Sequence, residues 1–291
     1  MTTMRQVLDH ACREVGLSSA GAVLLRDGEN QVYGLPGKVV VRISKPGQGG
    51  VAAREVFLGR WLNDNGVRAV EPLPVPQPVV VAGHPITFWQ ELAPRKAGTP
   101  RQVAQALKQL HALPVPDEFA QHKVAPFVRL HERVTSAQWL SDDDHRWLLA
   151  RLAELLARWE RRPLGLPEAV IHGDAWAGNV VDVDGQGVTF MDLERCSVGP
   201  PEWDLTSTAC RLTSFGTLTA AKYAEYCDEY GSDVTQWEEF ELFRDIRELR
   251  VTCFAVYVAQ GRTNLRDDAH VRVNSLRGRN GPRPWDWQPI E

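Results

Sequence analysis

Five cysteines are all the chain has (Cys12, Cys196, Cys210, Cys227 and Cys253). They are odd in number and scattered, with no C-x-x-C pair, which argues against a disulfide framework and against a zinc site. There is no basic excess either: 33 Lys and Arg stand against 37 Asp and Glu, a formal net charge of −4. That balance offers none of the electrostatic footprint of a nucleic-acid binder. Long apolar runs are missing too. The longest near-apolar stretch, residues 251–259, falls far short of the roughly 20 residues needed to cross a bilayer. Residues 1–17 mix charges among their apolar positions and lack the continuous apolar segment of a signal peptide. A reducing, cytoplasmic address with no membrane or nucleic-acid partner is therefore expected. Internal repeats and low-complexity tracts are absent as well. What is present is an ordinary globular composition, 43% hydrophobic and 24% charged over 291 residues. This is enough for one large domain or two modest ones with proper cores.

The hydrophobic pattern divides the chain. Met4, Val7, Leu8, Ala11, Cys12 and Val15 recur at helical spacing and Gly16 supplies a stop. Short β-rich runs follow at 22–26, 31–35 and 38–43. They are separated by Asp27-Gly28-Glu29-Asn30 and Pro36-Gly37, which have the composition of hairpin turns. A helix over 51–63 and strands at 78–81 and 86–91, turned at Gly83-His84, complete an antiparallel sheet with a helix against it. Pro94, Gly98 and Pro100 punctuate the chain near a hinge, and beyond them it turns mainly helical. Helices are predicted over 101–113, 142–162, 205–212, 220–230, 237–260 and 267–276. The clearest is 142–162, with Ser141 as cap, three aspartates in its first turn, arginines at its end and Pro163 beyond. A hairpin, 169–182 with 188–193, interrupts the helices. The expectation is an α+β protein with a small antiparallel-sheet lobe, 1–92, and a larger mainly helical lobe, 93–291.

One stretch stands out chemically: Ile171-His172-Gly173-Asp174-Ala175-Trp176-Ala177-Gly178-Asn179, with Phe190-Met191-Asp192-Leu193-Glu194 beginning shortly after it. Asn179 lies five residues after Asp174, and Asp192 thirteen after Asn179. A lone Asp beside a Gly is usually a turn residue. Four fixed residues at set spacing, each present at roughly one in twenty, rarely coincide by chance, and a second Asp at the expected distance makes chance rarer still.

This arrangement resembles the aminoglycoside phosphotransferase family, which shares the protein-kinase-like fold with choline kinases and protein kinases. Lobe order, hairpins and helix placement extend the resemblance over nearly the whole chain. It implies a bilobal fold and an enzyme that transfers the γ-phosphate of ATP or GTP with Mg2+. Such a reaction asks the protein for positioning and charge stabilisation more than for covalent chemistry. Asp174 would orient the acceptor hydroxyl and receive its proton. Asn179 and Asp192 would hold magnesium, which favours hard oxygen ligands and keeps several waters. His172 would brace the loop. Asp204, in Gly199-Pro200-Pro201-Glu202-Trp203-Asp204-Leu205, would hold that loop through backbone amides, or else cap the helix that follows. Glu194 would share a strand face with Asp192 and support the metal site, or end a solvated strand.

On the nucleotide side no G-x-G-x-x-G loop is present, a form the antibiotic kinases often lack. The run Val39-Val40-Val41-Arg42 occupies the place of V-A-I-K, so Arg42 stands where a phosphate-binding Lys is expected. The helix positions Val51, Glu55, Leu58 and Leu62 share one face, and a carboxylate inside an apolar stripe is costly without a cation. Glu55 is therefore expected to pair with Arg42 or to reach solvent at the stripe's edge; Lys45, the other cation nearby, faces the opposite side of its strand. Gln90, Glu91 and Leu92 fall at the interlobe hinge, where backbone groups would bind the purine.

Among ten tryptophans, Trp176 and Trp203 lie in or near the catalytic loop and would wall an acceptor pocket, or pack the helical lobe. Asp245 and Glu248 would meet a polycationic acceptor, or pair with Arg244, Arg247 and Arg250. The arginine- and tryptophan-rich tail, 277–287, would close over the acceptor or pack across the lobe. The first reading is an O-phosphotransferase acting on a hydroxylated antibiotic of aminoglycoside, nucleoside or macrolide type, conferring resistance. A metabolite kinase for choline, a sugar or an amino alcohol, and a nucleotide-binding pseudokinase, are the alternatives.

Overall fold

The computed structural model describes residues 3–28, 30–163, 165–288 and 290; Glu29, in the first hairpin turn, lies outside them. The chain divides into two compact units, Met1–Leu113 with Ala177–Cys196, and Pro114–Trp176 with Ser197–Glu291.

In the first unit, helix α1 (Met4–Glu14) starts at Thr3, whose hydroxyl accepts from the Gln6 N–H while the Gln6 side chain accepts from the Thr3 N–H. This reciprocal cap satisfies two orphan amides. The α1 stripe Val7, Leu8, Ala11 and Cys12 is fully buried. It packs on a five-stranded antiparallel sheet of order β1-β2-β3-β5-β4. The strands are β1 (Val23–Asp27), β2 (Gln31–Leu35), β3 (Val39–Ile43), β4 (Val79–Val81) and β5 (His84–Gln90). Along β3, Val39, Val41 and Ile43 face that core. Period-two alternation then sends Arg42 to the other face. Helix α2 (Gly49–Asp64) buries Glu55 with Val56, Leu58 and Leu62. Beyond the sheet come β6 (Arg95–Ala97) and α3 (Pro100–His111), the latter opened by a Thr99–Gln102 capping box with Pro100 in its first turn. Gly98 leaves no room for a side chain, because a Cβ there would collide with the Val180 carbonyl.

The second unit is built on helices α4 (Leu130–Ser136), α5 (Asp142–Glu160), α6 (Glu202–Thr213), α7 (Ala220–Tyr230), α8 (Phe240–Gly261) and α9 (Arg266–Leu276). Helix α8 is its axis: Phe243, Ile246, Leu249, Cys253 and Val256 are fully buried, in one cluster with Trp159 and Trp203. The expected α+β division into an antiparallel-sheet lobe and a larger helical lobe is therefore present.

The hairpin expected over 169–193 is wired differently. Strand β7 (Ala169–Ile171) pairs with β10 (Ser197–Gly199) inside the helical unit, with Val170 opposite Val198. The hairpin itself is β8 (Val180–Val183) with β9 (Gly187–Phe190), extended by β6 as a three-stranded sheet in the first unit. The cause lies between them. Gly173 takes φ +80°, a left-handed conformation that ends the first strand. The five cysteines are free, and no helix among the described residues is long and apolar enough to cross a membrane.

Candidate functional site

The sequence-predicted residues fall into two groups, one in each unit. In the helical unit, His172 and Gly173 follow β7 with their backbone N–H groups pointing at α6. Asp204 meets both: Oδ2 accepts from His172 N at 2.7 Å and Oδ1 from Gly173 N at 2.8 Å. Helix α6 starts at Glu202, so Asp204 lies inside its first turn rather than at its cap, and its carboxylate holds the loop. Asp204 is 1% exposed, so these are charge-assisted bonds shielded from water. The fully buried His172 ring adds a contact, its Nδ1 lying 3.3 Å from the Asp174 N–H. Trp203 sits beneath the loop, 2% exposed, with its indole N–H donating to the Gly173 carbonyl at 3.1 Å. Its ring lies edge-on to Trp159 and Phe243, so it has the core-packing place of the two weighed for it. Trp176, by contrast, is 44% exposed.

Asp174, carried by this fixed loop, remains partly exposed. Burial pushes its pKa up, but Arg247, Arg250 and His172 outweigh it and hold the carboxyl below its ordinary range. Arg247 Nη2 donates to Asp174 Oδ1 at 2.9 Å and to Ser207 Oγ at 2.8 Å. The sequence offers Arg247 only as a surface partner for Asp245 and Glu248, because it is 73 residues from Asp174 and meets it only through the fold.

The second group lies in the first unit. The β8–β9 hairpin pairs Val180 with Phe190, and the next backbone bond runs from Met191 N to Asn179 O at 2.8 Å. Asn179 and Asp192 thus leave the same end of one hairpin. Asp192 takes a left-handed conformation, φ 53° and ψ 67°, and the chain turns at once into a 3-10 turn, Leu193–Arg195. The strand does not continue to Glu194, and the shared strand face expected for Asp192 and Glu194 is not formed. The turn instead brings Glu194 Oε2 to Arg42 Nη2 at 3.2 Å.

Arg42 is the hub of this group. Its Nη1 lies 2.7 Å from Glu55 Oε1, the pair expected from the α2 stripe, while Lys45 is exposed. With the Asn30 amide oxygen turned inward, that oxygen accepts from Arg42 Nε at 3.0 Å and Nη2 at 2.6 Å. Burial alone would lower the Arg42 pKa, but Glu55, Asp192 and Glu194 together raise it. For Glu55 burial dominates: its carboxyl is pushed up to about 7, with Asp192 and Glu194 adding to the rise and Arg42 opposing it.

One guanidinium faced by three carboxylates leaves an excess of negative, hard oxygen. Among the described residues no cluster of three or more His, Cys, Asp or Glu could hold a metal alone. Magnesium needs less from the protein, since it accepts one or two carboxylates and completes its shell with water and phosphate oxygens. The amide of Asn179 and the carboxylate of Asp192 fit that ion. At the hinge, the N–H groups of Gln90 and Glu91 donate to the Glu71 and Lys38 carbonyls, each at 2.8 Å.

Residues 21–243 match the model of the phosphotransferase enzyme family. No curated protein sequence matches the chain. Among solved structures, it is similar to a choline/ethanolamine kinase family protein from Mesorhizobium loti, at 18% identity and a TM-score of 0.60, covering 93% of this chain and 94% of that one. It is also similar to the aminoglycoside phosphotransferase APH(3'')-Id from Streptomyces rimosus, at 20% identity and a TM-score of 0.63, covering 84% and 98%. The choline kinase LicA from Streptococcus pneumoniae is a third, at 15% identity and a TM-score of 0.63, covering 94% and 99%. These likenesses carry the fold, which is the protein-kinase-like one.

Proposed function

The chain belongs to the phosphotransferase enzyme family, and from this premise we propose that it transfers the γ-phosphate of ATP or GTP to a hydroxyl of a small molecule. The observation that carries this reading is the Asp204 clamp on the His172 and Gly173 amides, because it fixes the loop that presents Asp174. Asp174 orients the acceptor hydroxyl and receives its proton. Low basicity is no obstacle, since phosphoryl transfer depends chiefly on positioning and on stabilising charge. Asn179 and Asp192 hold magnesium, which when bound neutralises charge on the triphosphate. Arg42, aimed by Glu55, Glu194 and Asn30, takes phosphate oxygens with its planar fork. Backbone groups of the Gln90–Leu92 segment receive the base, with Leu92 the main candidate, because the two preceding N–H groups are engaged. Trp176 offers an exposed ring for stacking on the acceptor.

For the acceptor we favour a hydroxylated antibiotic of nucleoside type over a polycationic aminoglycoside. Asp245 and Glu248, the acids weighed as contacts for such a polycation, are occupied by Arg283, Arg151 and Arg158. A metabolite kinase is the second reading, favoured by the likeness to choline kinases at the level of fold. Purified protein supplied with magnesium and ATP or GTP tests the reaction: Asp174→Ala should abolish turnover, and unaltered turnover would sink this mechanism. Growth of a sensitive bacterium expressing the chain, on an antibiotic panel, separates the two acceptors. Resistance to none, with turnover of a common metabolite, rejects the antibiotic reading.

A further inference from the structure

Helix α8 divides its charges in an unusual way. Glu248, 1% exposed at its side chain, is held by both arms of Arg283, Nε to Oε1 and Nη2 to Oε2, each at 2.7 Å. Asp245 is held by Arg151 at 2.7 Å, Arg283 at 3.2 Å and Arg158 at 3.5 Å. The carboxylates of this stretch are thus committed to arginines from α5 and the C-terminal tail. Arg244 stays with the acids of its own helix, 3.9 Å from both Asp245 and Glu248, while Arg247 and Arg250 turn to the catalytic loop. Arg247 donates to Asp174, and Arg250, which donates to the Pro126 carbonyl and lies over the Trp203 ring at 5.5 Å, adds its field to the same carboxylate. Arg247 is fixed at two points, Asp174 Oδ1 and Ser207 Oγ on α6, with only 11% of its side chain exposed.

Resting on the reading of Asp174 as the residue that receives the acceptor hydroxyl, we propose that Arg247 is its positioning residue and sets the charge of the acceptor. It selects molecules whose reacting hydroxyl is flanked by uncharged or anionic groups and rejects those with an ammonium there. The geometry makes the two roles one. A hydroxyl at hydrogen-bond length from the Asp174 carboxylate, about 2.7 Å, places its neighbouring carbons within reach of the same guanidinium. An ammonium on those carbons meets a like charge in a half-buried place, while the carboxylate that would attract it is already paired. A carboxylate, phosphate or hydroxyl there meets donors instead. Arg247 positions Asp174 through their shared bond and faces the acceptor with the rest of its guanidinium, and a purely structural tie to Ser207 would leave acceptor charge preference untouched.

The test uses the full chain with magnesium and ATP, and Arg247→Met and Arg247→Lys variants. The acceptor panel is kanamycin and choline (cationic), uridine and glycerol (neutral), and glycerate (anionic). We expect the wild type to reject kanamycin and choline. Arg247→Met should shift the kcat/KM ratio of cationic to neutral acceptors by on the order of tenfold, and Arg247→Lys should restore part of the preference. The carboxyl of Asp174, identified in aspartate-labelled protein by the signal lost in Asp174→Asn, should titrate below the ordinary range in the wild type and higher in Arg247→Met. Among the described residues, Arg247 and Arg250 from α8 and His172 from its own loop act on it, and Asp204 holds the His172 N–H. This titration needs no turnover, so it decides the positioning role even if every panel member is refused. Preference for kanamycin or choline by the wild type overturns the proposal, as does a ratio or titration that Arg247→Met leaves unmoved. If Asp174→Asn keeps full turnover, the reading of Asp174 fails; if it is inactive and Arg247→Met silent, only the role of Arg247 fails.

Discussion

Glu55 on α2 meets Arg42 on β3 with Oε1 2.7 Å from Nη1, and the two side chains are 4% and 19% exposed. The contact ties a helix to the central strand of the sheet on the face opposite the α1 core. A pair this enclosed is weak evidence for net stability, because desolvation opposes the attraction, but removing one partner strands the other. Arg42→Met is therefore expected to destabilise the protein by about 3–5 kcal/mol in urea unfolding. The double variant Arg42→Met, Glu55→Met should recover most of that loss, and a double variant no better than the single one would refute the argument. Arg42→Lys keeps the charge but loses the fork onto Glu55, Glu194 and Asn30. It should raise KM for the nucleotide by roughly three- to tenfold with a smaller change in kcat.

The same pair gives metal-free protein a pH signature. Burial pushes the Glu55 carboxyl up to about 7 in the folded chain, against about 4.5 for a solvent-exposed carboxyl. Between those values the folded chain holds a proton that the unfolded chain has released. Stability therefore falls as pH rises through that interval and levels off above it, by up to about 3 kcal/mol. Melting temperature followed from pH 5 to pH 8, without magnesium, should slope downward in the wild type and flatten in Glu55→Gln. An equal slope in both would assign the effect elsewhere.

Asp204 separates loop geometry from substrate contact. In Asp204→Asn one oxygen facing an amide N–H becomes an NH2 group, so one bond is lost and a donor faces a donor. Hydrogen bonds to buried charged groups contribute about 1.5–3 kcal/mol each, and a loss of that order is expected in thermal unfolding. Turnover should fall by more than about tenfold, since the loop that presents Asp174 loses one of the two bonds by which Asp204 holds it. Wild-type kcat in a folded Asp204→Asn protein would show that the clamp does not set the loop for catalysis.

What the sequence displayed and what it hid follow the range of the interactions. Val39, Val41 and Ile43 alternate with Arg42 within five residues, and the Glu55 stripe repeats within one helix, so both could be read locally. The spacing of Asp174, Asn179 and Asp192 is local too, since one loop and one hairpin connect them. By contrast β6 is three exposed residues with no apolar alternation, and only its pairing with β8 makes it a strand. The partner of β7 was equally hidden: β10 is three residues long and lies beyond the whole β8–β9 hairpin. Asp245 and Glu248 look like ordinary helix-surface acids beside Arg244 and Arg247 until Arg283, 35 residues from Glu248, is folded over them.

That fold-over makes the tail a structural strap. Arg283 grips Glu248 and stacks over Trp285 at 4.8 Å, the Trp285 N–H donates to the Ser214 carbonyl at 2.8 Å, and Trp287, 4% exposed, stacks on Phe215 at 5.5 Å. Gly216, at φ +65°, admits this arrangement because a side chain there would collide with the Asp286 carboxylate. Of the two roles weighed for the tail, packing across the helical lobe is the one these contacts describe. Removing residues 281–291 leaves Glu248 buried without its bidentate partner and takes Trp287 off Phe215, so a loss of about 3–5 kcal/mol or more is expected. Arg283→Met should reproduce most of that loss, and adding Glu248→Gln should return part of it by removing the stranded charge. Urea midpoints of the four proteins decide the matter. If the truncated chain unfolds at the wild-type midpoint, the Arg283–Glu248 pair contributes nothing to stability; if only Arg283→Met is silent, the aromatic stack carries the strap and the ion pair merely orients it.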